Sequence, residues 1–453
     1  MSVNNQILGI NSKWDNNQYF IPDEYTLPVP GNPIRIYRKN VKKDVDTAMP
    51  ITPQNPIIRW KVPSNSTVIL DFRRAKCLIT YSVAVTLPWL ARPAQLAWNI
   101  VDRFRLEQGG QYVEDRRFWS LQETMSYEVQ THINQQATTG VALYGDGSVL
   151  ERNARAAGWT YCLPIPTTAL VKGIYPWFQI AKEAAQYKIQ PLPDTYLQWE
   201  LKPPEQFVEV YGAAPATPIV GLTWTVTRLQ IEYEEIYADG GNETLLKNWM
   251  SKSMRAFING FPCIYYRTFI TNLYPVSVAT EQTILIDFKL SSLVAIYVTF
   301  RYSNQVNNPE LYSKDSNYIS RGDLALTQYQ WDVNGCLWPD RPVNLADPAW
   351  VEGYAKYLES WQMFHGRGIQ QEVTPITSQQ FLTDKFLCVF DGNQHPFSTM
   401  VLNPISTSYS SSAIQLKLTF SAPPPAFVEA VVHLYHWRKW NFGSRGSVAT
   451  VEV

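Results

Sequence analysis

The two halves of the chain run through the same series of landmarks, and that repetition limits the fold more than any single motif. "STVILDF" at 66–72 and "QTILIDF" at 282–288 share a threonine, branched aliphatics, an aspartate and a phenylalanine. "CLITYSVAVTL" (77–87) is answered by "LVAIYVTF" (293–300). "RFRLEQGGQYVEDR" (103–116) and "QYQWDVNGCLWPDR" (328–341) each read as alternating strand, glycine turn, second strand and Asp-Arg. Behind each lies a stripe at helical spacing: Phe118, Leu121, Met125 and Val129 in one, Trp350, Tyr354, Tyr357 and Trp361 in the other. "DTYLQWELKPPEQ" (194–206) and "SAIQLKLTFSAPP" (412–424) both alternate and end in prolines. "TVTRLQIEYEEIYA" (225–238) and "FVEAVVHLYHWRKW" (427–440) close the series, the former changing phase near Arg228 as a β-bulge would make it do. The ordering of five landmarks predicts a tandem duplication.

The duplicated unit is all-β. Alternation with one polar face indicates antiparallel sheets packed face to face, and no strand–helix–strand rhythm of a parallel sheet is present. Long connections between short strands are those of a jelly roll more than of a meander. The expected architecture is therefore two tandem jelly-roll β-sandwiches, a double jelly roll, with short helices in loops and a helical connector. The 453 residues exceed what one core usually supports. The expected divisions are a proline-rich N-terminal arm over 1–60, a first jelly roll over 61–241, a connector helix over 242–258, a second jelly roll over 259–441 and a C-terminal tail over 442–453. Prolines every few residues in the arm suit extended chain at a sheet edge.

Composition excludes several classes. Lys+Arg and Asp+Glu balance at 39 each, so a specific nucleic-acid partner is not expected, and "YRKNVKK" (37–43) and "HWRKW" (436–440) are short enough to be solvated faces. Charge is sparse at 17%, while 16 Trp, 26 Tyr and 19 Phe offer the residue types that dominate cores and interfaces. Cys77, Cys162, Cys263, Cys336 and Cys388 are odd in number and dispersed, which predicts reduced thiols and not a disulfide framework or zinc site. The opening "MSVNNQILGINSKWDNN" lacks the regions of a signal peptide, so synthesis in a cytoplasm is expected, and the sequons at Asn65 and Asn242 are expected to stay bare.

No catalytic, cofactor-binding or metal-binding residue is assigned. The histidines are His132, His365, His395, His433 and His436. His433 and His436 are three apart on a predicted strand and point to opposite faces, which does not suit one metal ion. Glu234-Glu235 are adjacent and diverge in the same way. "HGRG" (365–368) and "DGNQH" (391–395) read as turns, and there is neither a nucleophile elbow nor a phosphate-binding glycine loop. Arg321-Gly322-Asp323 spells a cell-attachment tripeptide, weighed against an ordinary turn before a strand.

The ordered duplication, the arm and the missing catalytic signature resemble the double jelly-roll major capsid proteins of icosahedral DNA viruses, the lineage of adenovirus hexon, virophage and polinton-like virus capsid proteins. The opening residues favour the virophage or polinton-like side. The resemblance implies a structural virion protein without enzyme activity or cofactor. Three copies would form a pseudo-hexagonal homotrimer, a hexon-like capsomer, in contact with neighbouring capsomers and with penton and minor capsid proteins. An internal membrane or a host receptor stands open as a further partner. The competing expectation is a secreted or virion-associated carbohydrate-binding or carbohydrate-processing sandwich, a lectin-like spike or glycan hydrolase. In it Trp89, Trp98, Trp119 and Trp361 would stack on sugar rings. The "QTILIDF" segment is expected to be core, with Asp287 and Phe288 contributing to the stability of the second domain.

Overall fold

The computed structural model describes residues 36–63, 69–130, 136–164, 174–175, 194–212, 217–238, 263–290, 293–310, 319–365, 376–383, 385–392, 414–441 and 450–452. The connector expected over 242–258, residues 1–35 of the arm, most of the tail, His132, His395, residues 366–368 and both sequons lie outside them. So do the side chains of Val129, Trp361 and His365.

In chain order the first half contains Ile36–Asp44 (β1), Ile57–Lys61 (β2), Ile69–Ala84 (β3), Leu90–Pro93 (β4), Val101–Gln108 (β5) and Gln111–Arg116 (β6). The helix Trp119–Gln130 (α1) follows, then Trp159–Pro164 (β7), Ile174–Tyr175 (β8), Thr195–Leu201 (β9), Val208–Tyr211 (β10) and Thr223–Ala238 (β11). The second half contains Cys263–Pro275 (β12), Glu281–Ile286 (β13), Leu293–Tyr302 (β14), Leu326–Val333 (β15) and Cys336–Asn344 (β16). The helix Val351–His365 (α2) follows, then Cys388–Asp391 (β17), Ile414–Phe420 (β18), Val428–Asn441 (β19) and Thr450–Glu452 (β20).

Strand order repeats between the halves. The first sandwich pairs β1-β11-β3-β7 in one sheet and β2-β9-β5-β6 in the other. The second pairs β12-β19-β14-β17 and β13-β18-β15-β16. In each, the first three strands change sheet at every step, the next two form a hairpin, and the last three change sheet again. Eight antiparallel strands joined in this way are a jelly roll. β1 and β2, inside the proline-rich stretch, are edge strands of the first sandwich, one on each sheet.

Local chemistry explains the recurrent pieces. Gly109 and Gly110 turn the β5–β6 hairpin with φ of 58° and 80°, and Asn334 and Gly335 turn β15–β16 with 56° and 81°. Left-handed backbone at both central positions matches the twist of the flanking strands and favours glycine or asparagine. β9 and β18 share one strict alternation of buried and half-buried residues, each feeding one face to its core. The phase change read near Arg228 is a register shift between Val226 and Arg228 against β3.

One expected equivalence fails. Ile69–Phe72, the described part of the first heptapeptide, opens β3, a central strand paired with β11. The second heptapeptide supplies β13, an edge strand of the opposite sheet that ends at Ile286 and pairs with β18. The topological counterpart of β13 is β2, and that of β3 is β14. Asp71 and Phe72 are accordingly buried, while Asp287 is exposed and Phe288 only half-buried. The Asp-Arg pairs are also offset: Arg116 stands opposite Phe104, whereas Asp340-Arg341 lie in an irregular stretch between Trp338 and Val343.

Candidate assembly interface

The first sandwich closes over Trp60, Phe104, Trp199, Trp224 and Tyr233, the second over Phe300, Trp331, Leu416 and Leu434. Met125, on α1 of the first half, belongs to the second core. α1 follows the β5–β6 hairpin and packs on β5, and its other side meets β12. From Trp119 to Glu128 every side chain is buried except Glu123 and Ser126. Two of the polar ones, Thr124 and Gln122, have partners close by. The Trp98 indole N–H donates to Thr124 Oγ1 at 3.0 Å, and Gln122 Nε2 donates to the Arg117 carbonyl at 3.0 Å. The sequence showed an apolar stripe here; it gave no sign that the polar side is covered as well.

β6 adds the ionic part of the contact. The Glu114 carboxylate, fully buried, accepts from Arg116 Nε and, across the interface, from the Thr268 hydroxyl at 2.9 Å. Arg116 also approaches Glu123 at 3.8 Å. Burial pushes the Glu123 carboxyl up to about 7, with Arg116 opposing. His436 stands opposite Thr268 on β19 and is held neutral, pushed down to about 3 by burial and by the Arg438 and Arg116 guanidinium groups. Elsewhere Lys385 reaches Glu128 at 4.0 Å, Val210 N–H donates to the Pro309 carbonyl at 2.7 Å, and Gln206 Nε2 donates to Asn307 Oδ1 at 2.9 Å. What crosses the seam is the apolar burial of Met125, the Thr268–Glu114 hydrogen bond and the Lys385–Glu128 pair, so separating the sandwiches would expose apolar surface and take a hydrogen bond from the buried Glu114 carboxylate.

The residues weighed for chemistry are dispersed. Among the described residues no three of His, Cys, Asp and Glu gather at one place. His433 Nδ1 lies 2.8 Å from the Thr271 hydroxyl, on the face of β19 opposite to His436. Glu234 pairs with Arg38 at 2.8 Å, while Glu235 accepts from the Tyr237 hydroxyl at 2.6 Å. Cys77, Cys162 and Cys388 are buried thiols, burial pushing Cys162 up to about 11, and Cys336 is exposed. Arg321-Gly322-Asp323 forms a helical turn whose N-cap Ser320 accepts from the Asp323 N–H, and Arg321 is tied to Asp347 at 3.1 Å. Of the tryptophans weighed for sugar stacking, Trp89, Trp98 and Trp119 are buried, and Trp89 donates to the Thr217 carbonyl. Among the described residues no helix is long and apolar enough to cross a membrane.

Repeated strand order and a sealed seam define the class: the chain is a double jelly roll, the fold of the double jelly-roll major capsid proteins. No family model matches the sequence, and no curated protein does. Among solved structures, the chain is similar to PBCV-1 VP54, fitted into a reconstruction of the virophage Sputnik, at TM-score 0.55 and 9% identity over 94% of this chain and 99% of that one. It is similar to the PBCV-1 virus capsid quasi-atomic model at 0.52 and 10% identity, over 94% and 99% of the two chains. It is also similar to the Faustovirus major capsid protein at 0.52 and 9% identity, over 98% and 100%.

Proposed function

We propose that the chain is the major capsid protein of an icosahedral virus and that it assembles as a homotrimeric, pseudo-hexagonal capsomer. The observation that carries this reading is the pairing of two topologically identical sandwiches across a buried seam. Three copies of such a pair present six similar wedges around a threefold axis, and a tile of that outline covers a closed shell. The fold shared with capsid proteins over nearly the whole chain supports the same reading. A structural role is supported by the burial of Trp89, Trp98 and Trp119, which a carbohydrate site would need at the surface.

Within this proposal the jelly rolls occupy 61–241 and 259–441, with β1 and β2 of the 1–60 stretch completing the first, and 242–258 linking them. The partners are further copies of the chain, neighbouring capsomers, and penton and minor capsid proteins. The location is the virion, after synthesis in the host cytoplasm. The test is the mass of the purified chain in solution, followed by negative-stain microscopy. A particle three times the 51.9 kDa chain mass that forms hexagonal tiles or shells is expected. A monomer that binds or cleaves oligosaccharide overturns the proposal.

A further inference from the structure

At one end of the first sandwich three of the connections between its strands come together. One contains β4, between β3 and β5; another contains β10, between β9 and β11; the third contains the short helix Val149–Ala154, between α1 and β7. β4 and β10 pair so that Arg92 stands directly opposite Glu209, and the helix packs on β4. Arg152 and Arg155, three residues apart at the end of that helix, share one face of it. Arg92, Arg152 and Arg155 are 1%, 5% and 8% exposed, and Glu209 is fully buried. The Glu209 carboxylate accepts from Arg92 Nε at 2.9 Å and from Arg152 Nη1 at 2.7 Å, and Arg152 Nη1 also donates to the Pro93 carbonyl at 3.2 Å. Arg152 Nε and Arg155 Nη1 are closed to solvent and meet no acceptor. Among the described residues no carboxylate lies within ion-pair distance of Arg155. The acidic side chains closest to it in sequence are engaged: Asp146 accepts from Gln95 Nε2 and the Tyr127 hydroxyl, and Glu151 caps the helix through Ser148. Other buried arginines each have a carboxylate of their own, Arg116 with Glu114 and Arg301 with Glu429.

We propose that this cluster is a binding site for one oxyanion group of the phosphate or sulfate type. A buried guanidinium N–H without an acceptor is costly, and an anion that supplies the acceptor removes that cost. Among the described residues three guanidinium groups gather around a single carboxylate, so the site carries a surplus of positive charge. A tetrahedral oxyanion presents acceptors on several sides and takes the Arg152 Nε and Arg155 Nη1 donors together. Guanidinium groups hold such oxyanions through paired, charge-assisted hydrogen bonds. The Arg155 guanidinium lies over the Trp159 ring, 5.3 Å from its centroid, and Trp159 is 45% exposed, so the site lies one side chain below the surface. A free ion and the end of an ester both offer this chemistry. The proposal is independent of the capsomer reading, because every residue of the site belongs to one sandwich of one chain.

The experiment titrates the full-length chain with inorganic phosphate in a chloride buffer of constant ionic strength. It is read by the phosphorus NMR resonance of the phosphate and by the melting temperature. Low millimolar phosphate keeps the general salting-out effect of such ions small. The wild-type chain is expected to broaden the resonance and to melt higher as phosphate rises. Arg155→Gln, which removes the charge and keeps a polar side chain, is expected to weaken binding by about ten-fold or more. Arg38→Gln, at an exposed ion pair, is expected to leave binding unchanged. Glycerol phosphate in place of inorganic phosphate separates the two sources: tighter binding than the free ion assigns the site to an ester, weaker binding to the ion itself. A resonance that wild-type protein leaves unmoved overturns the site whatever the variants do. So does an Arg155→Gln chain that binds as tightly as wild type, or an equal loss in Arg38→Gln and Arg155→Gln.

Discussion

The two sandwiches share every strand pairing that defines their topology, yet they treat one surface in opposite ways. The outward side of the β1–β11 pair is a ladder of exposed ion pairs, Arg38 with Glu234 and Lys42 with Glu232. On the corresponding β12–β19 pair that side is buried at Thr271, Val431 and His433, and the burial continues onto Tyr297 and Thr299 of the neighbouring β14. β14 is buried on both faces along nearly its whole length. Topology therefore decides which strands are neighbours, and side chains decide whether a sheet face is a wall against solvent or a joint. The difference is written locally, since "LVAIYVTF" is a continuous apolar run of the kind found in strands covered on both sides.

The largest effect that separates the halves is expected from pH. His433 and His436 are both pushed down to about 3, His433 by burial and then by the Arg301 guanidinium. An unfolded histidine titrates near 6.5. Above that value neither state holds the proton, and the neutral rings cost nothing. Between about 6.5 and 3 only the unfolded chain takes it up, so stability falls with falling pH by up to about 1.4 kcal/mol per pH unit for each ring. Urea unfolding at pH 7, 6 and 5 is expected to show this slope, and His433→Gln is expected to remove about half of it. Parallel slopes for wild type and variant would mean that His433 is not held neutral by the fold.

Next in size is a pair of phenylalanines that looked equivalent. Phe72 is 1% exposed and lies edge-on to Trp60 and against Tyr233 at centroid distances of 6.3 and 5.3 Å. Phe288 follows the end of β13 and is half-buried. Phe72→Ala is expected to cost about 3–5 kcal/mol, and Phe288→Ala about half of that or less. Equal losses in the unfolding midpoint would restore the equivalence that the sheet register denies.

That pair also shows how far the fold was legible in the sequence. Turn glycines, the bulge near Arg228 and the proline-ended strands are written in neighbouring residues and stand where they were read, and a helix follows each hairpin as the stripes predict, with Phe118 and Trp350 just ahead of its first turn. The likeness of the heptapeptides was misleading because threonine and branched aliphatics suit any half-buried strand. Only pairing with distant strands assigns such a segment to a sheet. The seam was illegible for the same reason: Glu114 meets Thr268 only through the docking of two domains, and no local pattern marks a polar residue for burial. The buried tryptophans were equally ambiguous, since an aromatic for a core and one for a sugar look alike until exposure is known.

The hairpin turns sharpen the comparison in the opposite sense, because there the sandwiches should behave alike. Gly110 and Gly335 have φ of 80° and 81°, and an added Cβ would meet nothing within 4 Å at either position. Alanine therefore costs only backbone strain, about 1–2 kcal/mol. The two single variants are expected to lose the same stability, and the double variant the sum, since the sites share no partner. A loss at one hairpin alone would show that something else holds that turn.

The smallest effect belongs to the exposed ladder. Arg38 and Glu234 lie 2.8 Å apart with side chains 37% and 21% exposed. Solvent screens such a pair, and holding two long side chains together costs entropy, so Arg38→Ala is expected to lower stability by less than about 1 kcal/mol. At about 1 M salt, where the screening length shrinks to about 3 Å, that loss is expected to shrink further. A loss of several kcal/mol that persists in salt would show that the ladder is as closed to solvent as the buried face of β14 and β19, and the contrast between the two sandwiches would then fail at the surface where it is clearest.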